Sequence, residues 1–322
     1  MSSLAFLKSA ARVAATVALT FLGLLLVTFL IGRVVPIDPV LAAVGDRAPA
    51  EVYERVRLEL GLDKPLWLQF WLYIAKVVQG DFGSSVLTSN LVIDDIKRVF
   101  PATLELATVA TLMGVALGIP AGVIAAVHQG RWQDQVVRVL GLMGYSIPVF
   151  WLGLMGLLLF YAKLGIVAGP GRQGVAFEDL IAPLTGVISH VILPACVLGD
   201  FSLAYISRMT RSFMIEQLRQ EYIVTARVKG LSERRVVWRH ALGNVMVPLL
   251  TVIALSYANL LEGSVLTETV FAWPGLGQYI TNSLLSADMN AVLGGTIMVG
   301  IIFIGINMLT DILYRIVDPR AK

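Results

Sequence analysis

The sequence predicts an all-α, polytopic membrane protein with six transmembrane helices. Of its 322 residues, 57% are hydrophobic and 15% are charged, and the mean hydropathy is +0.78. Soluble domains carry a charge on about a quarter of their residues, so the deficit is large. Apolar runs of about twenty residues recur along the chain, which is the length that crosses a hydrocarbon core of about 30 Å. The short alternating segments of a membrane β-barrel are not evident.

The apolar runs predict a membrane anchor followed by five further spans. The first run is too long for the apolar core of a secretory signal, so we expect it to be retained. Six runs reach spanning length, at residues 13–32, 102–127, 139–162, 184–206, 241–266 and 291–313. We therefore divide the chain into three parts: an N-terminal anchor at 1–35, an extracytoplasmic helical segment at 36–100 and a five-helix core at 101–322.

The extracytoplasmic segment is polar and is expected to hold two short helices. Pro49 can begin the first of them and Gly61 can end it. The second is predicted over residues 65–78, which is too short to cross the membrane. Its aromatic side chains, among them Trp67 and Trp71, suit the membrane interface.

The distribution of Lys and Arg predicts the orientation of the chain. The segment 207–240 carries eight basic residues against three acidic ones, whereas the loop 267–290 carries no basic residue. Basic loops stay on the cytoplasmic side of the membrane. The loop with Arg131 and Arg138 is expected inside as well, and the loop 163–183 outside. Both chain termini are then cytoplasmic.

Sites for metals and cofactors are not indicated by the residue pattern. Cys196 is the only cysteine and lies in an apolar run, which excludes an intrachain disulfide. The three histidines are far apart and form no cluster with metal-ligand spacing. No Gly-x-x-x-x-Gly-Lys-[Ser/Thr] sequence occurs, so we expect the chain to bind neither a nucleotide nor another cofactor.

The basic segment 207–240 predicts a cytoplasmic helix pair. Gly230 can take the left-handed conformation that ends a helix, and Ser232 suits the N-cap of the next one. Three residues share one face of the first helix: Tyr222, Ile223 and Ala226. This face predicts an apolar knob within a cationic surround, which suits a groove on another protein. Docking of the pair onto anionic lipid headgroups is the alternative.

The same segment resembles the conserved cytoplasmic loop of ABC importer permeases. Ala226 and Gly230 fit the general pattern of that loop, whereas Val224 stands in place of its Glu. The version found in importers of dipeptides, oligopeptides and nickel is matched more fully. Its matching residues are Tyr222, Ile223, Thr225, Ala226, Lys229, Gly230, His240, Ala241, Leu242, Asn244 and Pro248.

Further segments are similar to the same family, in order along the whole chain. They are Leu60-Gly61-Leu62-Asp63-Lys64-Pro65, Gly80-Asp81-Phe82-Gly83, Pro101-Ala102-Thr103-Leu104-Glu105-Leu106, Ser146-Ile147-Pro148-Val149-Phe150-Trp151, Leu193-Pro194, Thr267-Glu268-Thr269-Val270-Phe271-Ala272-Trp273-Pro274-Gly275-Leu276-Gly277 and Asp318-Pro319-Arg320. The large outer segment after the first span resembles that of the B-type permease subunit.

The resemblance implies a type I ABC importer permease in a bacterial inner membrane. Its partners would be a second homologous permease, two ATPases that hold ATP and Mg²⁺, an extracytoplasmic substrate-binding protein and membrane lipid, with no nucleic acid. The chain itself would be a pore subunit and not an enzyme. The residues implied to couple it to an ATPase are Tyr222, Ile223, Thr225, Ala226, Arg227, Lys229, Gly230 and Leu231. Dipeptides, longer peptides, nickel chelates, glutathione and sugars remain open as substrates.

Ionisable residues inside spans are costly, which makes them functional candidates. Asp200 lies in the fourth span, and Glu262 lies in the fifth with Asn259 one turn earlier. We hypothesise that these acids face a translocation path, together with Tyr145 and Ser146, and favour a cationic substrate. Pairing with polar groups of a partner permease is the alternative.

Prolines inside spans predict kinks, because each removes a backbone hydrogen bond. The positions are Pro120, Pro148, Pro194 and Pro248. Such kinks can serve as gates or as static packing bends.

Two other functions are considered beside the permease. An ion-gradient-driven secondary transporter would usually show inverted repeats, which we do not find. An intramembrane serine protease would need a nucleophile and a base on neighbouring helices, for which Ser146 and His190 are the candidates.

Overall fold

A computed structural model describes residues 3–34, 39–45, 48–59, 61–172 and 185–317. Most of the predicted outer loop 163–183 and the tail sequence Asp318-Pro319-Arg320 lie outside the described residues. In the described ranges the helices are α1 Ser3–Val34, α2 Pro39–Val44, α3 Ala50–Glu59, α4 Leu66–Val78, α5 Val92–Val127, α6 Trp132–Ser146, α7 Val149–Gly156, α8 Thr185–Leu218, α9 Glu221–Val228, α10 Glu233–Arg235, α11 Leu242–Gly263, α12 Val265–Val270, α13 Leu276–Leu285 and α14 Met289–Val317. Two π-helices, Leu157–Lys163 and Val236–Ala241, continue α7 and α10.

Among the described residues, five segments are long and apolar enough to cross a membrane. They are Ala15–Gly32, Val92–Val127, His190–Leu218, Glu233–Gly263 and Met289–Thr310. A sixth span results when the bent pair of Trp132–Ser146 and Val149–Lys163 is counted as one. The predicted all-α architecture with six spans is confirmed on that count, and the short interfacial helix predicted at 65–78 is α4.

Several helices continue beyond the apolar runs that predicted them. Helix α5 begins at Val92, ten residues before the predicted start at 102, and has Asp94 and Asp95 in its first turn. Acidic side chains are favourable there because they face the positive end of the helix dipole. Helix α8 ends at Leu218, well past the predicted end at 206. Hydropathy marks only the part of a helix that lies in lipid, so both boundaries were predicted too short.

The third span is broken at Pro148, where the sequence predicted a kink. Helices α6 and α7 meet at an angle of 99°. The break falls at Pro148, where the chain is extended with φ −62° and ψ 131°. The other three prolines, Pro120, Pro194 and Pro248, lie inside α5, α8 and α11, which continue through them.

One compact unit comprises residues 1–100 and 276–305. In its apolar part, Leu25 of α1, Val77 of α4 and Ile297 of α14 form a buried cluster. Its polar part is held by buried carboxylates. Asp288 accepts hydrogen bonds from Ser85 Oγ at 2.6 Å and from the Leu87 amide at 3.1 Å.

Tyr279 lies beside two of these carboxylates in the first unit. Its hydroxyl donates to Asp95 at 3.5 Å, and Asp95 also accepts from Arg98 at 2.7 Å. Burial, and then the negative charges of Asp95 and Asp288, raise the pKa of Tyr279 to about 12. The phenol therefore stays a neutral donor within this network.

The other compact unit comprises residues 101–275 and 306–322. Helix α8 packs against α6, α7 and α11. It also approaches α5 closely, at glycines spaced four residues apart on one face of that helix. A Cβ on Gly122 would lie 2.5 Å from the Ser207 carbonyl oxygen, and one on Gly114 would lie 2.4 Å from Ser202 Oγ. Small residues at this spacing let membrane helices come into backbone contact.

Candidate functional site

Helix α9 lies within the basic segment and ends two residues before a glycine, which turns the chain as predicted. Gly230 has φ +78°, in the left-handed region. Its amide donates to Arg227 O at 2.9 Å, and the Leu231 amide donates to Ala226 O at 3.3 Å. These bonds satisfy carbonyls that the helix end leaves open. The chain thus turns sharply between α9 and α10.

The predicted apolar knob on α9 is wrong for two of its three residues. Ile223 is fully buried and Ala226 is 7% exposed, because both pack into the core of their own chain. That core also contains Met214 of α8 and Val245 of α11. The periodicity placed the apolar face correctly, but the subunit itself covers it.

A different set of side chains on α9 is exposed. Val228 is 82% exposed, Val224 is 53% exposed and Tyr222 is 37% exposed. Tyr222 donates its hydroxyl proton to Gln217 Oε1 at 2.8 Å. Arg227, Lys229, Gly230 and Thr225 are exposed beside them, and Leu231 is half-buried. The outer face of α9 is therefore apolar at Val224 and Val228 and basic around them.

An ion pair joins the two halves of the helix pair across the Gly230 turn. Arg227 Nη2 lies 2.6 Å from Glu233 Oε1, and Nε lies 3.1 Å from Oε2. This pairing raises the pKa of the Arg227 guanidinium. Ser232 occupies the predicted N-cap position of α10 but forms no side-chain capping bond. The Arg227–Glu233 ion pair, and not a serine cap, therefore connects α9 to the start of α10.

The second helix of the pair is not a regular α-helix. After one turn, α10 passes into the π-helix Val236–Ala241, which leads directly into α11. Val236, Val237 and Ala241 are buried in the same core as Ile223. The wider turn of a π-helix changes which residues share a face. Trp238 is exposed as a result.

The candidate path residue Tyr145 lies at one end of an aromatic cluster. Its ring meets that of Phe201 edge-on at 5.0 Å, and Phe201 stacks on Tyr205 at 6.4 Å. The Arg208 guanidinium lies over the rings of Tyr145 at 4.9 Å and Tyr205 at 5.9 Å. Neither Phe201 nor Arg208 was singled out from the sequence, although both share a face of α8 with Asp200.

Asp200 is half-buried and borders this cluster through α6. A Cβ placed on Gly144 would lie 2.9 Å from its Oδ2 atom. Asn259 and Glu262 are exposed on α11. Within the described part of the chain, none of these three polar side chains forms a hydrogen bond or ion pair with another residue. Asp200 and Tyr145 therefore lie close together, whereas no contact ties Asn259 or Glu262 to them.

Ser146 and His190 do not form the pair that a protease would need. Ser146 Oγ donates to Leu142 O of its own helix at 2.8 Å. His190 Nδ1 lies 3.2 Å from the carbonyl oxygen of Gly169. Both groups have backbone partners, and a nucleophile must instead be activated by an adjacent base.

Two ion pairs and one buried carboxylate among the described residues were not predicted from the sequence. Arg211 binds the buried Asp134 through two hydrogen bonds. Arg172 pairs with Glu105 at 2.6 Å. Glu268 is fully buried and accepts from Thr103 Oγ1 at 2.8 Å. A charged residue at the end of an apolar run indicates that an ionic contact forms there. The sequence does not show which residue is its partner.

Comparisons with known proteins identify the family of this chain. A family described as the binding-protein-dependent transport system inner membrane component matches residues 118–322, and its N-terminal counterpart matches residues 4–107. The chain belongs to this family of transport proteins. It is thus a multi-pass inner membrane protein and a permease subunit of the ABC transporter class, as the sequence predicted.

Relatives are similar to this permease over nearly the whole chain. It is 42% identical over 322 residues to a dipeptide transport system permease protein of Escherichia coli (strain K12), covering 94% of this chain and 95% of the relative. It is 40% identical over 318 residues to a probable D,D-dipeptide transport system permease protein of the same strain, covering 92% of each. A di/tripeptide transport system permease protein of Pseudomonas aeruginosa (strain UCBPP-PA14) is 41% identical over 321 residues, with 94% and 95% covered.

A solved structure supports the fold of the permease. The inward-facing MetNI methionine ABC transporter superposes with a TM-score of 0.54 at 19% identity, covering 70% of this chain and 96% of that one. At this identity the likeness concerns the fold alone. Together with the family, it favours the type I permease over the secondary transporter and the serine protease.

Proposed function

We propose that this permease is one of two pore subunits of an ATP-driven importer of short peptides. The observation that carries the proposal is the likeness over more than nine-tenths of the chain to permeases named for dipeptides, D,D-dipeptides and di/tripeptides. Nickel chelates, glutathione and sugars are the less favoured cargoes. Much of the selectivity is expected to reside in a separate binding protein outside the membrane.

The partners that we propose follow from the two sides of the membrane. Two ATPases lie on the cytoplasmic side, and one of them binds this subunit at the outer face of α9. Val224 and Val228 would enter a groove of the ATPase, with Arg227 and Lys229 at its rim. A second, homologous permease completes the pore, a binding protein docks outside, and lipid surrounds the spans. No nucleic acid takes part.

The proposed orientation has both termini in the cytoplasm. The eight basic residues of 207–240 and the absence of Lys and Arg from 267–290 support it. We propose that the chain carries no catalytic site and binds no cofactor, because ATP and Mg²⁺ are held by the ATPases. Force from nucleotide hydrolysis would enter through α9 and reach the spans.

The proposed translocation path includes the candidate residues Tyr145, Ser146, Asp200, Asn259 and Glu262. Two half-buried or exposed carboxylates without a partner in the described residues, Asp200 and Glu262, support a preference for cationic cargo. Uptake of basic and acidic dipeptides by the Asp200→Asn and Glu262→Gln variants tests this preference. Unchanged ratios in both variants would show that the two acids meet the partner permease and not the cargo.

The assembly itself is tested by photo-crosslinking and reconstitution. A benzophenone amino acid at Val228 should crosslink to an ATPase in cell membranes, whereas the same probe at the exposed Leu285 of α13 should not. Vesicles that hold both permeases and both ATPases should accumulate dipeptide only with ATP and the binding protein. Accumulation by this subunit alone, or crosslinks from Val228 to lipid only, would refute the proposal.

A further inference from the structure

One face of α8 carries two opposite charges with aromatic rings between them. Asp200, Ala204 and Arg208 follow one another at intervals of four residues, which places them along one side of a helix. Phe201 and Tyr205 lie beside them on the same side. Tyr145 of α6 closes the row, with its ring against that of Phe201 and beneath the Arg208 guanidinium.

Neither charge at the ends of this row is neutralised. Asp200 forms no hydrogen bond or ion pair with any residue in the described parts of the chain, although its carboxylate is half-buried. Arg208 contacts the faces of Tyr145 and Tyr205, and no carboxylate of the described residues pairs with it. A charge inside a membrane protein is costly unless it meets a partner. The half-buried Asp200 therefore needs a complementary charge from elsewhere, and the exposed Arg208 is available to an anion.

The spacing of the two charges matches a short peptide. Eight residues of helix separate the two Cα atoms by about 12 Å. Arg208 reaches back toward Asp200, as its contacts with Tyr145 and Tyr205 show, and side chains on a helix generally point toward its N-terminus. The remaining gap is shorter than the Cα separation. Two or three extended residues span about 7–10 Å.

The wall between the charges suits the middle of such a peptide. The rings of Tyr145, Phe201 and Tyr205 offer an apolar surface that accepts any side chain. The two tyrosine rings also hold the guanidinium in place by cation–π contacts. Gly144 has no side chain, which lets α6 approach Asp200 closely on this side, because a Cβ there would lie 2.9 Å from Oδ2. The accessible part of the half-buried carboxylate therefore faces away from Gly144.

We propose that this row is a dipolar clamp for peptides of two or three residues with both termini free. Asp200 receives the N-terminal ammonium, Arg208 receives the C-terminal carboxylate, and the aromatic rings line the side chains. The clamp rests on the proposed function as a peptide permease and adds to it a recognition element within the pore subunit. A single amino acid is too short to bridge the two charges.

The test measures binding at the clamp without the binding protein. Ser146→Cys, in a Cys196→Ser background, places a thiol next to Tyr145 and outside the clamp. Its rate of labelling by N-ethylmaleimide is followed in inside-out membranes that contain both permeases and both ATPases. Dialanine should slow the labelling, whereas alanine, N-acetyl-dialanine and dialanine amide should do so about tenfold less effectively, the size expected for one lost charge-assisted hydrogen bond.

Two variants assign the termini. Asp200→Asn should make dialanine and its N-acetyl form equally weak, and Arg208→Gln should do so for dialanine and its amide. Asp94→Asn and Arg138→Gln remove exposed charges elsewhere and should leave the discrimination intact. Equal protection by free and capped peptides, or discrimination that survives both variants, would overturn the clamp. Uptake of dialanine by the unmodified importer is measured separately, so the proposed function is judged on its own.

Discussion

Arg211 of α8 donates two parallel hydrogen bonds to Asp134 of α6, from Nε to Oδ1 at 2.6 Å and from Nη2 to Oδ2 at 2.8 Å. The carboxylate is almost fully buried, and it also accepts the Gly130 amide at 2.9 Å. The contact therefore fixes the loop before α6 and the start of α6 to the C-terminal half of α8. Bidentate pairs of this kind add geometric specificity to their strength.

Removal of Arg211 should destabilise the permease strongly. The Arg211→Met change leaves a buried carboxylate without its partner, which typically costs about 3–5 kcal/mol. The double change Asp134→Asn with Arg211→Gln removes both charges and should lose less. Thermal unfolding of the purified permease in detergent measures both. A double variant as unstable as Arg211→Met would show that the pair is not what holds the two helices.

Val228 and Ile223 should respond in opposite ways although both lie on α9. Val228→Asp changes a side chain that touches little of its own subunit, so the free energy of unfolding should move by less than about 0.5 kcal/mol. Ile223→Ala opens a cavity in the core and should cost about 2–4 kcal/mol. Of the two variants, only Val228→Asp should abolish copurification of the ATPases while it leaves the permease stable.

The matched control for that prediction is Leu285→Asp. It introduces the same charge at an apolar side chain that is equally exposed, on α13. Copurification of the ATPases should be unaffected by it. Normal ATPase binding by Val228→Asp would place the docking surface elsewhere.

Gly122 and Gly243 offer a comparison of two helical glycines. A methyl group at Gly122 would meet Ser207 O at 2.5 Å and Arg211 N at 3.0 Å, which are backbone atoms of α8. Gly122→Ala must separate the helices and should cost about 1–3 kcal/mol. A methyl group at Gly243 meets nothing within 4 Å, so Gly243→Ala should stabilise its helix by up to about 1 kcal/mol. Thermal unfolding that ranks the two variants the other way would exclude close α5–α8 contact.

Glu268 and Gly275 should be coupled. A Cβ on Gly275 would lie 2.4 Å from Cδ of Glu268, whose carboxylate also accepts from Thr103 and Ser264. Gly275→Ala should therefore impair folding and uptake. Glu268→Asp shortens the side chain and makes room, so the double variant should lose less than the sum of the two single variants. If the changes in unfolding free energy of the two single variants added up to that of the double variant, the two residues would not be in steric contact.

The spans were predictable because lipid imposes a minimum apolar length on each of them. Their ends were not, since α5 and α8 continue where tertiary contacts replace lipid. Pro148 predicted the position of the break in the third span. The size of the angle, 99°, was not predictable because it depends on what the two halves pack against. Pro120, with the same local chemistry, leaves α5 unbroken.

The candidate site was predicted unevenly for a similar reason. Gly230 was correctly placed because its backbone conformation is a local property. Ile223 was assigned to the wrong partner, because periodicity shows which residues share a face and not what covers it. The partners of Glu105 and Asp134 lie 67 and 77 residues further along the chain, beyond the reach of any local pattern.

The burial of Ile223 and Ala226 makes α9 part of the same packed core as the spans that we propose it moves. Their core joins side chains of α5, α8 and α11, among them Val123, Met214 and Leu249. Interiors packed at this density are nearly incompressible. Force applied to α9 would therefore be transmitted through this core. A displacement of a few ångströms at α9 would rotate α5, α8 and α11 together instead of being absorbed in a loop.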